Sequence, residues 1–207
     1  MSIIAKKEKK VAIVVEHDKR RKKILDSALS VFMKEGFTNA TFQKIADHCD
    51  IHRTIIYLYF KDKREIFIYS IKQLLLEVEK NINSICHDNS LNSEEKITKV
   101  IFTIFRVLEQ NKSLLSVLLD YLMHLTKKGY IPEERIRRRT IKLRHMLSSM
   151  YIEGVKKGEL KKIKIKYAND YLYSFIETAI FQLVVIKRKN LNEFKETVHF
   201  AVKQLTI

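Results

Sequence analysis

An all-helical fold is predicted by the chain's composition, by the spacing of its apolar residues and by the positions of its few glycines. The 207 residues include only four glycines and one proline, whereas strand-rich folds need many tight turns built from these two residue types. The hydrophobic share of 46% is typical of a chain with a folded core. Because apolar residues recur at helical spacing through most of the sequence, we expect about nine helices.

The first two helices have clear sequence boundaries. Apolar residues at helical spacing from Ile24 to Met33 predict a first helix, and Gly36 is a natural residue to end it. Thr41 is a good N-cap for a short second helix, with Phe42, Ile45 and Ala46 on one face. This helix should end near Cys49-Asp50, since Asp tolerates the left-handed conformation of a turn.

The third helix should be short, with one apolar and one polar face. A fourth helix should begin near Asp62 and run to about Ile85. In the third helix, Ile51, Ile55, Ile56 and Phe60 are expected to face inward, and the other side offers His52, Arg53, Thr54, Tyr57, Leu58 and Tyr59. Two short helices joined by a tight turn form a helix-turn-helix, whose second helix can reach base edges in the major groove. The alternative is that this face contacts solvent or another protein.

The rest of the chain predicts further helices. Asn92–Glu95 resembles a capping box, Gly129 should end one helix, and Pro132 suits the first turn of the next. The expected helices are Ile97–Glu109, Ser113–Thr126, Pro132–Lys157, Ala168–Arg188 and Leu191–Leu205. Only the alternation at Lys161–Lys166 is compatible with either a strand or a helix.

The formal net charge of +16 is unevenly distributed. The excess of basic residues lies in 1–23 and 127–166, whereas residues 24–64 are nearly balanced. Such clusters suit phosphate or anionic lipid, although lysine-rich helix faces that contact only solvent are common. We expect residues 1–17 to form a basic arm, either flexible or helical. Lys6–Lys10 in this arm and Lys19–Lys23 directly after it should contact DNA phosphates.

Three stretches, Arg21–Phe37, Ala40–Ala46 and Ile56–Phe67, resemble the N-terminal domain of the tetracycline-repressor (TetR) family. The matching features include Ile24-Leu25 with Ala28, Gly36-Phe37, and Tyr57-x-Tyr59-Phe60 before Lys63-x-Glu65. The resemblance implies a cytoplasmic one-component transcriptional regulator. It would be a homodimeric repressor that binds a palindromic operator in double-stranded DNA and is released by a small-molecule effector. Residues 18–65 would be the helix-turn-helix domain, and residues 66–207 the helical domain for ligand binding and dimerisation.

The resemblance also indicates which residues contact DNA. The family contacts bases and phosphates at the positions of Arg53, Thr54, Tyr57 and Tyr59. It binds a phosphate at the position of Lys63. The full set of candidates is Thr41, Gln43, Lys44, His52, Arg53, Thr54, Tyr57, Tyr59 and Lys63. The chain departs from the usual family pattern at Asp50, where glycine is usual, at His52, where a small polar cap is usual, and at Ile55, where threonine is frequent.

The C-terminal half contains candidates for an effector pocket and for a dimer interface. Six large apolar residues are candidates for the pocket: Phe102, Phe105, Tyr121, Met146, Met150 and Phe175. The alternative is that they only pack in the core. Basic residues from Arg135 to Arg144 would meet an acidic or phosphate-bearing effector such as an acyl-coenzyme A, or attract DNA. In the family, the last two helices of each protomer form a four-helix bundle across the dimer. This resemblance implies an interface at Leu172, Ile176, Ile180, Phe194, Val198 and Val202, unless intrachain packing uses these faces.

Other classes of function have little support in the sequence. There is no paired acid and base, nucleophile motif or glycine-rich phosphate loop, so we expect neither an enzyme nor a cofactor. His48, Cys49 and His52 lack a second cluster that would complete four metal ligands, so no metal site is expected. No stretch predicts a membrane span. The alternative function is a basic helical protein that binds nucleic acid or anionic membrane without sequence specificity.

Overall fold

The computed structural model describes residues 3–127, 129 and 133–207, including their side chains except at 3–15, 74, 77 and 133–140. Within these residues the chain forms nine α-helices and no strand beyond an isolated bridge between Leu160 and Thr206, which confirms the all-helical prediction. The helices are α1 (Ile3–Asn39), α2 (Phe42–Cys49), α3 (Arg53–Tyr57), α4 (Lys63–Cys86), α5 (Ser93–Gln110), α6 (Lys112–Lys127), α7 (Glu133–Lys156), α8 (Ile165–Val184) and α9 (Asn192–Lys203).

Local side-chain chemistry sets several helix ends as predicted. Gly36 interrupts α1 with φ 75° and ψ 168°, a conformation that glycine adopts without a Cβ penalty. Asn92 and Glu95 form the predicted capping box at the start of α5, in which each side chain accepts from the other residue's backbone N–H. Pro132 lies outside the described residues, so its predicted place in the first turn of α7 stays a prediction.

The segment around Lys161–Lys166 and the end of α8 differ in detail from the sequence prediction. Lys161 N donates to Leu205 O at 2.8 Å, and α8 already begins at Ile165, so the alternating segment does not become a strand of its own. Lys187 takes a left-handed conformation with φ 60°. The helix therefore ends at Val184, before the predicted limit at Arg188.

The chain divides into two compact units, Met1–Leu75 and Leu76–Ile207, with the division inside α4. The core of the first unit includes Phe32, whose ring lies 4.9 Å from that of Phe67 in a T-shaped contact. Both rings are fully buried, as are Ile24, Ala28, Ile45, Ala46, Ile56 and Ile66. These contacts hold α1, α2, α3 and the start of α4 around one small core.

The second unit has a larger core formed by α5 and α7–α9. Phe105, Tyr151, Leu172 and Val198 are almost fully buried in it. The Glu109 carboxylate on α5 accepts from Leu191 N at 2.7 Å and from Lys195 Nζ at 3.1 Å, which ties α5 to the start of α9. Among the described residues no helix is long and apolar enough to cross a bilayer.

Gly154 on α7 is packed too closely to accept a side chain. A Cβ there would lie 2.5 Å from Leu160 Cδ1 and 2.7 Å from Ser93 Cβ, and both of these residues are buried. Alanine would gain about 0.5–1 kcal/mol of helix propensity, but overpacking costs about 1–3 kcal/mol. Gly154→Ala should therefore lower the free energy of unfolding, as measured by urea denaturation. Ser149→Ala, exposed on the same helix, should change it little, and a stabilised Gly154→Ala variant would contradict the close packing.

Candidate nucleic-acid interface

The turn between α2 and α3 is built from local contacts. Thr41 Oγ1 accepts from Lys44 N at 3.2 Å and caps α2, as predicted. Asp50 ends the helix with φ 56° and ψ 51°, and Ile51 N donates to Ala46 O at 3.1 Å. The predicted turn at Asp50 is therefore confirmed, and the chain makes it without a glycine.

The third helix, α3, is fixed by one apolar side and leaves its other side exposed. Ile56 and Phe60 are buried, and Ile55 is half-buried. His52 occupies the N-cap position, but its side chain makes no capping hydrogen bond. His52 is thus a surface residue, together with Arg53 and Thr54.

The exposed side of α3 contains a small ordered cluster. Arg53 Nη2 donates to Tyr57 Oη at 3.0 Å, and the guanidinium carbon lies 5.5 Å from the centre of the Tyr57 ring. Tyr57 is 49% exposed and packs against Phe42 of α2, with 4.7 Å between ring centres. Phe42, which was not among the predicted site residues, therefore supports the ring that α3 presents. Its position directly after the Thr41 cap is the sequence signal for this role.

Two further predicted contacts, Gln43 and Lys44, already have partners within the first unit. Gln43 Nε2 donates to Asp47 Oδ1 at 2.7 Å. Lys44 Nζ lies 2.8 Å from Glu35 Oε2, and this hydrogen bond with its ion pair lowers the pKa of the Glu35 carboxyl. Both predicted contacts are exposed on α2, so they lie beside the turn that leads into α3.

Lys63 is half-buried at the start of α4. Its Nζ donates to Thr38 O at 2.9 Å and lies 4.7 Å from the centre of the Phe37 ring. Burial lowers the pKa of the Lys63 ammonium. In this arrangement Lys63 contacts the end of α1 through one of its three N–H donors, and a contact to phosphate would use another.

The predicted pocket residues lie within the packed core of the second unit. Phe105, Tyr121, Met150 and Phe175 are buried, and Phe102 and Met146 are half-buried. The rings of Phe105 and Phe175 lie 5.5 Å and 6.3 Å from that of Phe194. The structure thus brings α5, α8 and α9 together at these rings, and a role in binding an effector stays a prediction.

The basic run of α7 is only partly described. The side chains of Arg135, Arg137, Arg138 and Arg139 lie outside the described residues. Lys142 Nζ pairs with Glu79 at 2.6 Å, and Arg144 Nη1 pairs with Asp170 at 2.6 Å. These last two cations are therefore engaged in ion pairs within the second unit.

The six residues predicted for a dimer interface pack within one chain. Leu172, Ile176, Val198 and Val202 are buried in the core, and Ile180 and Phe194 pack against it. For these faces intrachain packing, the alternative considered from the sequence, is what the structure shows. A different apolar stripe remains exposed, formed by Tyr167, Tyr171, Phe181 and Val185 on or directly after α8. The intervals of 4, 10 and 4 residues between these positions return to one side of a helix, so the stripe was visible in the sequence beside the face that became buried.

Comparison with known proteins agrees with this geometry. Residues 24–69 match the sequence model of the bacterial regulatory proteins of the tetR family. The chain is 30% identical over 100 residues to the uncharacterised HTH-type transcriptional regulator YdgC of Bacillus subtilis (strain 168), covering 47% of this chain and 51% of that protein. It is 24% identical over 171 residues to the fatty acid metabolism regulator protein of the same organism, covering 80% and 84%.

Solved structures share the fold. A TetR transcription regulator from Haloarcula marismortui superposes with a TM-score of 0.80 at 16% identity, covering 92% of this chain and 100% of that one. The transcriptional regulator FadR from Bacillus subtilis, in complex with stearoyl-CoA, gives 0.68 at 22% identity, covering 87% and 96%.

The α2–α3 pair, its exposed face and these matches define a helix-turn-helix domain of the kind found in bacterial transcriptional regulators. Residues 24–69 are similar to the tetR family of bacterial regulatory proteins, and the fold is that of a solved TetR transcription regulator. The matched family and both relatives are transcriptional regulators, which agrees with the prediction that the chain is not an enzyme.

Proposed function

We propose that the protein is a homodimeric repressor that acts in the cytoplasm, binds a palindromic operator through α2 and α3, and leaves it when a small molecule binds the second unit. The observation that carries this proposal is the ordered Arg53–Tyr57 cluster on the exposed side of α3. A helix of this size fits the major groove, where an arginine can donate to base edges and a tyrosine can contact bases or phosphates.

A palindromic operator follows from the small size of α3. Five residues of helix reach only a few base pairs. Useful specificity therefore needs two recognition helices that read half-sites about 34 Å apart, as in other helix-turn-helix dimers. Each protomer would supply one of the two.

The exposed stripe of Tyr167, Tyr171, Phe181 and Val185 is the surface that we assign to the dimer. Phe181 is 53% and Val185 60% exposed in the single chain. A second copy would remove both side chains from water, whereas a charge at these positions would be buried without a partner.

A charged double variant tests this interface. Phe181→Asp combined with Val185→Asp should convert the protein to a monomer in sedimentation or light scattering, and it should weaken operator binding. Met123→Asp is the matched control, since Met123 is 60% exposed on a different helix, α6. A double variant that stays dimeric would contradict the assignment.

For the effector we propose an acyl-coenzyme A. The support is the similarity to the fatty acid metabolism regulator over 80% of the chain, and to the regulator solved with stearoyl-CoA. The basic excess in residues 127–166 would suit the phosphates of coenzyme A. An effector coupled to DNA binding by about 1–3 kcal/mol would weaken operator affinity about 5- to 150-fold. Stearoyl-CoA should have this effect, and coenzyme A alone should not.

Selection of an operator from genomic DNA tests the proposed function as a whole. The full-length protein should bind the selected palindrome far more tightly than random DNA of equal length at the same salt concentration. Equal affinity for the two DNAs would reject the repressor and favour the alternative, a basic protein that binds nucleic acid without specificity.

Deletion of residues 1–16 distinguishes the basic arm from the reading helix. Each lost phosphate contact should reduce the slope of log K against log salt by about 0.9, so we expect a flatter salt dependence with the operator preference retained. The measurement is DNA affinity across a series of salt concentrations. An unchanged slope would show that Lys6–Lys10 do not contact phosphate.

A further inference from the structure

One face of α1 continues beyond the hydrophobic core. Ile24, Leu25 and Ala28 are buried in the core of the first unit. Counting back by helical turns, Arg21 and His17 lie on the same face. The buried stripe of α1 is thus extended by two polar side chains that can still pack against aromatic rings.

Both of these side chains contact the segment that follows α3. The His17 ring lies 4.5 Å from the Tyr59 ring, centre to centre, with 33° between their planes. The Arg21 guanidinium carbon lies 5.1 Å from the centre of the Phe60 ring and 4.3 Å from that of Tyr69. Phe60 is buried and Tyr59 is half-buried, so Arg21 contacts the inner part of this segment and His17 contacts its more exposed part.

Tyr59 needs such a support because it lies beyond the end of α3. The helix ends at Tyr57, and Tyr59 N donates to Ile56 O at 3.0 Å in the turn that follows. The backbone is therefore anchored, while the half-buried side chain takes its orientation from its neighbours. The His17 ring and the adjacent Phe60 ring, 6.4 Å away, are those neighbours.

We propose that His17 is a positioning residue for DNA binding, which holds the Tyr59 ring so that its hydroxyl meets the DNA backbone. The inference rests on the proposed function, since it assigns to Tyr59 a contact with the operator. It goes beyond that function because it gives α1 a role in ordering the recognition surface. His17 itself need not contact DNA: its ring faces Tyr59, and its Nδ1 lies 3.9 Å from the carboxylate of the adjacent Asp18.

A double-mutant cycle in the full-length protein tests this role. His17→Ala should weaken binding to the selected operator about 2- to 10-fold, the range expected for losing one aromatic pair. His17→Phe, which restores a ring, should recover the affinity. In a Tyr59→Ala background, His17→Ala should cause no additional loss. His145→Ala, an exposed histidine on α7, is the matched control and should leave binding unchanged.

Other outcomes would overturn the inference in distinct ways. If His17→Ala lowers operator affinity equally in the wild-type and Tyr59→Ala backgrounds, His17 acts independently of Tyr59 and contacts DNA directly. No loss at all, in a protein that prefers its operator, would mean that the ring contact has no role in binding. If the wild-type protein does not distinguish its operator from random DNA, the proposed function fails and the inference falls with it.

Discussion

Replacing Arg53 and Tyr57 together with alanine should remove most of the sequence-specific affinity for the operator. A good contact between a side chain and a base contributes about 1–3 kcal/mol of discrimination. The two side chains are hydrogen-bonded to each other at 3.0 Å, so their losses should not be fully additive. We expect operator affinity to fall about 30- to 1000-fold, or about 2–4 kcal/mol, and affinity for random DNA to fall much less.

Fluorescence anisotropy with both DNAs at one salt concentration measures the difference. Arg106→Ala, which removes an exposed arginine from α5, is the control for loss of charge and should leave the operator preference intact. Arg53 is exposed, and the half-exposed Tyr57 loses only its contact with Phe42, so the thermal unfolding midpoint should fall by only a few degrees. An equal fall in affinity for operator and random DNA would contradict base reading by α3.

Replacing Phe105 with alanine should lower the free energy of unfolding by about 3–5 kcal/mol, the usual cost of truncating a buried phenylalanine. The Phe105 side chain is fully buried, and its ring stacks on that of Phe194 at 5.5 Å. The surrounding α5, α8 and α9 are tied at several points, so they cannot easily collapse into the space left by the ring.

Urea denaturation, with Leu58→Ala as control, measures this loss. Leu58 is 79% exposed, so its truncation should cost less than about 0.5 kcal/mol. The outcome also separates the two roles considered for Phe105. A loss below about 1 kcal/mol would show that the ring borders open space, as a pocket residue would, whereas a large loss identifies a core residue.

Several helix boundaries were predictable because they depend on residues close in sequence. The Thr41 cap, the left-handed Asp50 and the reciprocal bonds of Asn92 and Glu95 each involve a few neighbouring residues. Propensity and hydrogen-bonding chemistry at that range can be recognised without knowing the fold. The exposure of Arg53 and Thr54 followed from the same local periodicity.

The partner of each apolar face was not predictable in the same way. Leu172 and Val198 were correctly identified as residues of apolar faces, yet they pack inside one chain. Helix α8 is apolar on more than one side, so periodicity alone could not tell its inner face from the stripe that includes Phe181. Similarly, the contact between His17 and Tyr59 joins residues distant in sequence, and no local rule indicates such a pair.

The length of α1 has a consequence for the size of the DNA target. The helix begins at Ile3, so its backbone extends ahead of His17. At 1.5 Å per residue this extension measures about 20 Å, which equals the rise of about six base pairs of B-form DNA. A segment that is already helical has little backbone freedom left to lose on binding. If it lies along DNA, the protected footprint should lengthen by a fixed distance, which a nuclease protection assay can read in base pairs.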